Sequence, residues 1–225
     1  MKKLLLTLVA IAAFSGAAQA APLIEITEFM YNGLGAGSIG EYLELTNMGS
    51  TAINFSGWSF DDSTRTAGSQ SLSAFGLVLP GQSVILTDDT AAHFKTNWGL
   101  GAAVVVIGGN SDNLGRSDEI NIYDASNVLV DRLTYNDQGS GNVAGPRANG
   151  ISDWAPVGAL AANNASLWRA STLVDGSGSH TSLAGELGSP GTYQFAPTPV
   201  PEPSVYALLI ASIGLLLIVI RIKKA

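Results

Sequence analysis

The feature that most constrains this chain is a succession of short segments that alternate apolar and polar residues, each broken by Gly, Asn, Asp or Pro. Ile24 and Ile26 alternate with Glu25 and Thr27, Leu43 and Leu45 share one face of Glu41–Thr46, and Trp58 alternates with Phe60 after Gly57. Ser83–Thr87 follows a Pro80-Gly81 turn. Ile120 with Ile122, then Val128 with Val130, alternate on either side of an Asp124–Asn127 turn. Period-two alternation between turn formers is the pattern of strands with one face buried. Val104–Ile107 is apolar at every position, which predicts a strand buried on both faces. Only Thr90–Trp98 has helical spacing, with Phe94 and Trp98 four apart. About seven short strands and one short helix predict an all-β fold, an antiparallel β-sandwich. There is no internal repeat.

The order of the segments carries a resemblance. Ile26-Thr-Glu-Phe29, Glu41-Tyr-Leu-Glu-Leu-Thr-Asn47 and Gly57-Trp-Ser-Phe-Asp-Asp62 come first. Leu79-Pro-Gly-Gln-Ser-Val-Ile-Leu86, Ser117-Asp-Glu-Ile-Asn-Ile-Tyr-Asp124 and Val130-Asp-Arg-Leu-Thr-Tyr135 follow. Together, from about Ile24 to Tyr135, they resemble the lamin tail domain. Asn164-Ala-Ser-Leu-Trp-Arg169 and Gly188-Ser-Pro-Gly191 resemble the closing segment of bacterial versions. The glycine-rich stretch Asn32–Gly40 departs from the pattern and predicts a looser first loop. The resemblance implies an immunoglobulin-like sandwich with an interaction or scaffold role, and it brings no catalytic residues.

Both ends read as addresses. Met1–Ala20 has Lys2 and Lys3, an apolar run from Leu4 to Phe14, then small residues. Ala18-Gln19-Ala20 fits a signal-peptidase site, so cleavage is expected between Ala20 and Ala21. At the other end, residues 203–220 carry no charge. As a helix at ~1.5 Å per residue these eighteen residues reach ~27 Å, with the transmembrane helix expected over about 204–220. With snorkelling of Arg221 and Lys223 that spans a ~30 Å hydrocarbon core. The basic cluster Arg221, Lys223 and Lys224 belongs on the cytoplasmic side, which leaves the preceding chain outside. Pro201, Glu202 and Pro203 stand directly before the span. A Pro-Glu-Pro motif, a short apolar span and a terminal basic cluster, in that order, resemble the PEP-CTERM sorting signal. That resemblance implies a Gram-negative envelope, recognition by an exosortase, and release or transfer to the cell surface, commonly in exopolysaccharide producers. The expected organisation is a leader (1–20), one β-sandwich domain with a C-terminal extension (21–195), a linker (196–200) and a sorting signal (201–225).

Charge narrows the partners. Residues 21–203 carry six basic and eighteen acidic groups, a net of −12, against −7 for the whole chain. Such a surface repels phosphate backbones and argues against nucleic acid as a partner. The absence of cysteine excludes disulfides, thiolate metal sites and a cysteine nucleophile.

Residues that could carry chemistry are few. His93, in the expected helix, and His180, in a Gly/Ser-rich run, stand apart from any nucleophile motif, so both read as exposed or packing side chains. The pairs Glu25/Glu28 and Glu41/Glu44 invite a glycosidase reading. Alternation, however, turns Glu25 and Glu44 away from their apolar neighbours, which predicts solvated positions. Asp61-Asp62 are expected to cap a turn, and Asp88-Asp89 to cap the helix. The loop Gly108–Glu119 offers Asp112, Asn113 and Asp118 as calcium ligands, without the spacing of an EF-hand. Trp154 and Trp168 lie in the least regular region and are candidates for a sugar-stacking surface, whereas Trp58 is expected in the core.

These observations predict an exported, non-enzymatic surface or extracellular-matrix protein without a cofactor. Signal peptidase and an exosortase are its expected partners during export, with a transient membrane anchor. Extracellular polysaccharide or envelope proteins are its expected partners afterwards. A calcium-dependent adhesion or glycan-binding module is the alternative, and a secreted hydrolase the less favoured one.

Overall fold

Leu43 and Leu45 face Leu86 and Val84 across an antiparallel ladder, and that inward-facing quartet fixes one wall of the core. A computed structural model describes residues 23–35 and 39–196. The expected leader, its cleavage site at Ala20 and Ala21, the motif Pro201–Pro203, the span at 204–220 and the cluster Arg221, Lys223 and Lys224 lie outside the described residues. No helix among the described residues is long and apolar enough to cross a membrane.

The strands are β1 (Ile24–Met30), β2 (Tyr42–Asn47), β3 (Ile53–Asn54), β4 (Ser59–Asp61), β5 (Gln70–Ser71), β6 (Leu77–Val78) and β7 (Ser83–Thr87). After the helix α1 (Ala91–Trp98) come β8 (Val105–Ile107), β9 (Ser117–Tyr123), β10 (Leu129–Asn136), β11 (Asp153–Trp154), β12 (Arg169–Ala170), β13 (His180–Thr181) and β14 (Leu187–Gly188). One sheet has six strands in the order β12-β11-β1-β2-β7-β8, and the other has four in the order β10-β9-β4-β5. Every pair is antiparallel except β7–β8, which α1 connects. The core between the sheets joins Ile24, Ile26 and Phe29 of the first to Phe60, Ile120, Ile122, Leu133 and Tyr135 of the second. This mostly-β arrangement is consistent with an immunoglobulin-like sandwich.

Three expectations change here. Val104–Ile107 is not buried on both faces: β8 is a half-buried edge strand, because only β7 pairs with it. In β10 the ladder shifts between Leu129 and Asp131, so Asp131, Leu133 and Tyr135 are the buried set and Val128 is exposed. The larger change concerns the six-stranded sheet, which is covered on both faces. Its outer face carries a second apolar cluster, Met30, Tyr42 and Ile85 against Phe94 and Trp98 of α1. The C-terminal segment, residues 150–195, covers the rest and also sends Trp168, Ala155 and Ala159 into the main core.

Candidate functional site

The acidic residues of β1 and β2 are placed by one irregularity. The β1–β2 ladder shifts register between Ile26 and Glu28, making Thr27 an extra residue. Such a bulge lets Ile26 and Phe29, three apart, both point inward and sets Glu28 opposite Glu44 on the outer face. Glu25, Glu28, Glu41 and Glu44 are all buried, Glu25 and Glu44 against the expectation of solvated positions: the C-terminal segment closes over Glu28 and Glu44, Asp131 of β10 lies against Glu25, and the Asn110–Leu114 loop holds Glu41.

Glu28 is the hub of this face. Its Oε1 accepts from the Tyr42 hydroxyl and the Ser189 N–H, each at 2.8 Å, and from the Ser152 hydroxyl; Oε2 accepts from the Ser189 hydroxyl at 2.8 Å. Glu44 accepts from Thr27 Oγ1 at 2.7 Å and from the Gly191 N–H at 2.7 Å. These bonds explain Gly188-Ser-Pro-Gly191. A Cβ on Gly188 would lie 2.6 Å from the Tyr42 hydroxyl oxygen, and Gly191 holds a left-handed φ of 93°. Glu186 works likewise, accepting from the Leu34 N–H at 2.9 Å, Asn97 Nδ2 at 2.8 Å and the Ser182 hydroxyl at 3.0 Å. Three buried carboxyls thus fasten the C-terminal segment to sheet, helix and first loop.

Burial is the main force on the titration of these groups. It raises Glu28, and with the nearby Glu28 charge it pushes Glu44 up to about 8. Burial pushes Glu41 up to about 9, although its carboxyl accepts from the Leu114 N–H at 2.7 Å. Burial and the adjacent Asp131 carboxyl push Glu25 up to about 7, and burial pushes Asp131 up to about 6. Asp153, with both carboxyl oxygens buried and unpartnered, is pushed up to about 8. Catalytic carboxyls must reach a substrate. None of the four glutamates lines the open hollows of about 380, 320 and 360 Å³, and three of the four are bound by the chain's own donors.

The candidate calcium loop is organised by Glu41 rather than by convergent ligands. Glu41 Oε2 holds the Leu114 N–H, while Asn110 Nδ2 donates to the Asp112 carbonyl at 2.9 Å. Asp118 is spent on its own loop, accepting from the Gly115 N–H at 2.7 Å and the Glu119 N–H at 2.9 Å. Asn113 is exposed, and Asp112 Oδ2 is buried without a partner. Among the described residues no three His, Cys, Asp or Glu side chains come together as a metal site would require.

Turn capping by Asp61 and Asp62 is as expected. Asp61 accepts from Thr64 Oγ1 at 2.7 Å, Ser69 Oγ at 2.6 Å and the Thr66 N–H at 3.0 Å, and Asp62 from the Thr64 N–H at 3.1 Å. The helix cap is different: Thr90 accepts from the His93 N–H at 3.3 Å. Asp88 instead holds the Gly40 N–H, and Asp89 holds the Thr90 N–H and the His93 ring. The hydrogen bond to Asp89 raises His93 above its ordinary value. Glu119 is held down to about 2 by hydrogen bonds from Arg65.

Trp154 and Trp168 are no surface platform: they are 4% and 6% exposed, with Trp168 edge-on to Phe29 and Trp154 stacked on Phe195. The tryptophan that does border an open groove is Trp98. It meets Leu100, Val104, His180, Pro190 and Gln194 around about 360 Å³ between the end of α1 and the C-terminal segment. Sequence alone gave no signal for this site, because its two walls lie some eighty residues apart.

Comparison with known proteins bears on the fold. Searches of curated proteins and of solved structures gave no match. A family model described as Lamin Tail Domain matches residues 17–137, more than half of the 225 residues, from within the expected leader to just past the end of β10. With the sandwich formed by those strands, the match shows that this chain belongs to the lamin tail domain family, a family of immunoglobulin-like structural domains.

Proposed function

We propose that this chain is an exported, non-enzymatic surface or extracellular-matrix protein, addressed by its leader, sorted and processed by an exosortase, and associated with exopolysaccharide. The observation that carries the non-enzymatic reading is the use of Glu28, Glu44 and Glu186 as internal acceptors that fasten one part of the fold to another. Neither histidine is hydrogen-bonded to a hydroxyl nucleophile through its ring: His93 is paired with Asp89, and His180 donates to the Trp98 carbonyl at 3.2 Å. The ordered tail, Pro201-Glu202-Pro203, apolar span and Arg221, Lys223 and Lys224, supports the address.

The test is fractionation of the full chain in a Gram-negative host with and without its exosortase. The native tail should yield surface or released protein only when the exosortase is present. Replacing Pro201, Glu202 and Pro203 with alanine should leave the chain in the inner membrane. Identical fractionation of native and altered tails would overturn the sorting assignment.

One observation favours the calcium-dependent alternative. The Asp112 carboxyl, partly buried and near Asp62 and Asp61, is raised, and its Oδ2 has no partner. A bound cation would relieve both. A chelator-induced fall in melting temperature supports this reading, and an unchanged melt removes it.

A further inference from the structure

The groove beside Trp98 has an unusual chemical character for this molecule. In a region of net charge −12, no Asp, Glu, Lys or Arg lines it. The adjoining hollow of about 380 Å³, lined by Leu79, Pro80 and Ala103 and sharing Val104 and Thr192 with it, is equally uncharged. The two form one neutral strip of a size that fits small ligands.

Of its polar side chains, Ser177 and Ser189 are committed to Asp175 and Glu28, which leaves His180, Thr192 and Gln194 at the rim. Trp98 is 3% exposed, yet its Nε1–H has no acceptor. A buried N–H without a partner is costly, which makes this end of α1 sensitive to what packs beside it. The His180 ring stands edge-on to Trp98, with centroids 5.5 Å apart. Donation from Nε2 to the Trp98 carbonyl leaves its Nδ1 as an acceptor. Gln194 lies over Gly178, where a Cβ would stand 2.8 Å from Nε2, so the glycine leaves room for the amide. Thr192 and Gln194 are exposed, and Leu100, Val104 and Pro190 give an apolar floor.

A ligand matching this strip is uncharged, has apolar C–H faces, and carries groups that both donate and accept. Sugar hydroxyls do both, and ring C–H faces pack on apolar and aromatic surface. An anionic sugar or a phosphate finds no cation in the lining and meets the repulsion of the domain. We propose that this groove binds a unit of a neutral, hydroxyl-rich saccharide packed beside the Trp98 indole, with His180 and Gln194 closing the rim. The inference rests on the polysaccharide-associated reading above and locates the contact.

The test follows the indole resonances of the isotope-labelled full chain in mild detergent. Trp98 is identified by Trp98→Phe, which keeps an aromatic ring against Phe94 and Tyr42. The probes are neutral maltotetraose, cellotetraose, mannotetraose and galactotetraose, with tetragalacturonate as the anionic control. At least one neutral probe should shift the Trp98 resonance saturably while Trp58, in the core, stays still. The double variant His180→Ala, Gln194→Ala changes exposed side chains, and it should weaken that probe about fivefold to tenfold, the scale of losing one or two neutral hydrogen bonds. No Trp98 shift with any neutral probe, an equal shift with tetragalacturonate, or undiminished binding by the double variant overturns the inference. If the native chain pellets with exopolysaccharide while Trp98 stays unmoved, the groove is wrong and the broader reading stands. If it neither pellets nor shifts, both fail.

Discussion

Glu28 and Ser189, 161 residues apart, are joined by two hydrogen bonds of 2.8 Å, from the Ser189 N–H and from its hydroxyl. The second residue of β1's bulged stretch is thereby tied to the last part of the described chain. The glutamate of Ile26-Thr-Glu-Phe29 and the Gly188-Ser-Pro-Gly191 turn are two halves of one buried junction.

Glu28→Ala should therefore destabilise the fold well beyond an ordinary surface change. It strands the hydroxyls of Tyr42, Ser152 and Ser189 and the Ser189 N–H in a buried site. The cost should be about 2–4 kcal/mol, seen in thermal melts as a drop of several degrees. A melt equal to the native one would show that the junction contributes little.

The same junction predicts that the matched family region is not self-sufficient in this chain. A chain ending at residue 148 lacks β11, β12 and the cover over Glu28 and Glu44, and it loses Trp168 from the core. Limited proteolysis should degrade it fully under conditions that leave the longer chain intact. A protease-resistant truncated chain would place the C-terminal segment outside the cooperative unit.

Stability should vary with pH in an unusual direction. Glu41 and Glu44 are raised from 4.5 to about 9 and about 8, and Asp153 from 3.8 to about 8, chiefly by burial. Such a group keeps its proton in the fold at pH values where the unfolded chain has lost it. Its contribution is complete below the unfolded value and is lost as pH rises toward the folded one. Glu119 acts oppositely: lowered from 4.5 to about 2 by Arg65, it loses its contribution as pH falls through that window. The melting temperature should peak near about pH 5 and decline steadily toward pH 9. Glu41→Gln, permanently neutral, should flatten the alkaline limb. A melting temperature that climbs from pH 5 to pH 9 contradicts this.

Asp61 offers a local test. Although burial acts to raise it, hydrogen bonds from Ser69, Thr64 and Thr66 hold the Asp61 carboxyl below its ordinary value. Asp61→Ala should cost about 1–3 kcal/mol and speed proteolysis within residues 62–69. Unchanged cleavage there would show that the loop holds its shape without the cap.

The strands and the turns at Asp61, Asp124 and Pro80-Gly81 were legible because period two and turn chemistry are local. The faces were only half legible. Alternation identifies which residues of β2 oppose Leu43 and Leu45, but Tyr42 is covered by Phe94 and Trp98, more than fifty residues on, and Glu44 by Gly191, 147 residues on. The same reason hid the Trp98 groove and the burial of Trp154 and Trp168. The cap moved from Asp88-Asp89 to Thr90 because both aspartates are occupied elsewhere, Asp88 by Gly40 and Asp89 by the Thr90 N–H and the His93 ring.

The most direct measurement is co-sedimentation of the full chain, in mild detergent, with exopolysaccharide from an exosortase-bearing Gram-negative host, once with calcium and once with chelator. A matrix-associated module pellets with the polymer in both conditions, and pelleting with calcium alone assigns the contact to the Gly108–Glu119 loop. A chain that stays in the supernatant in both contradicts matrix association through polysaccharide.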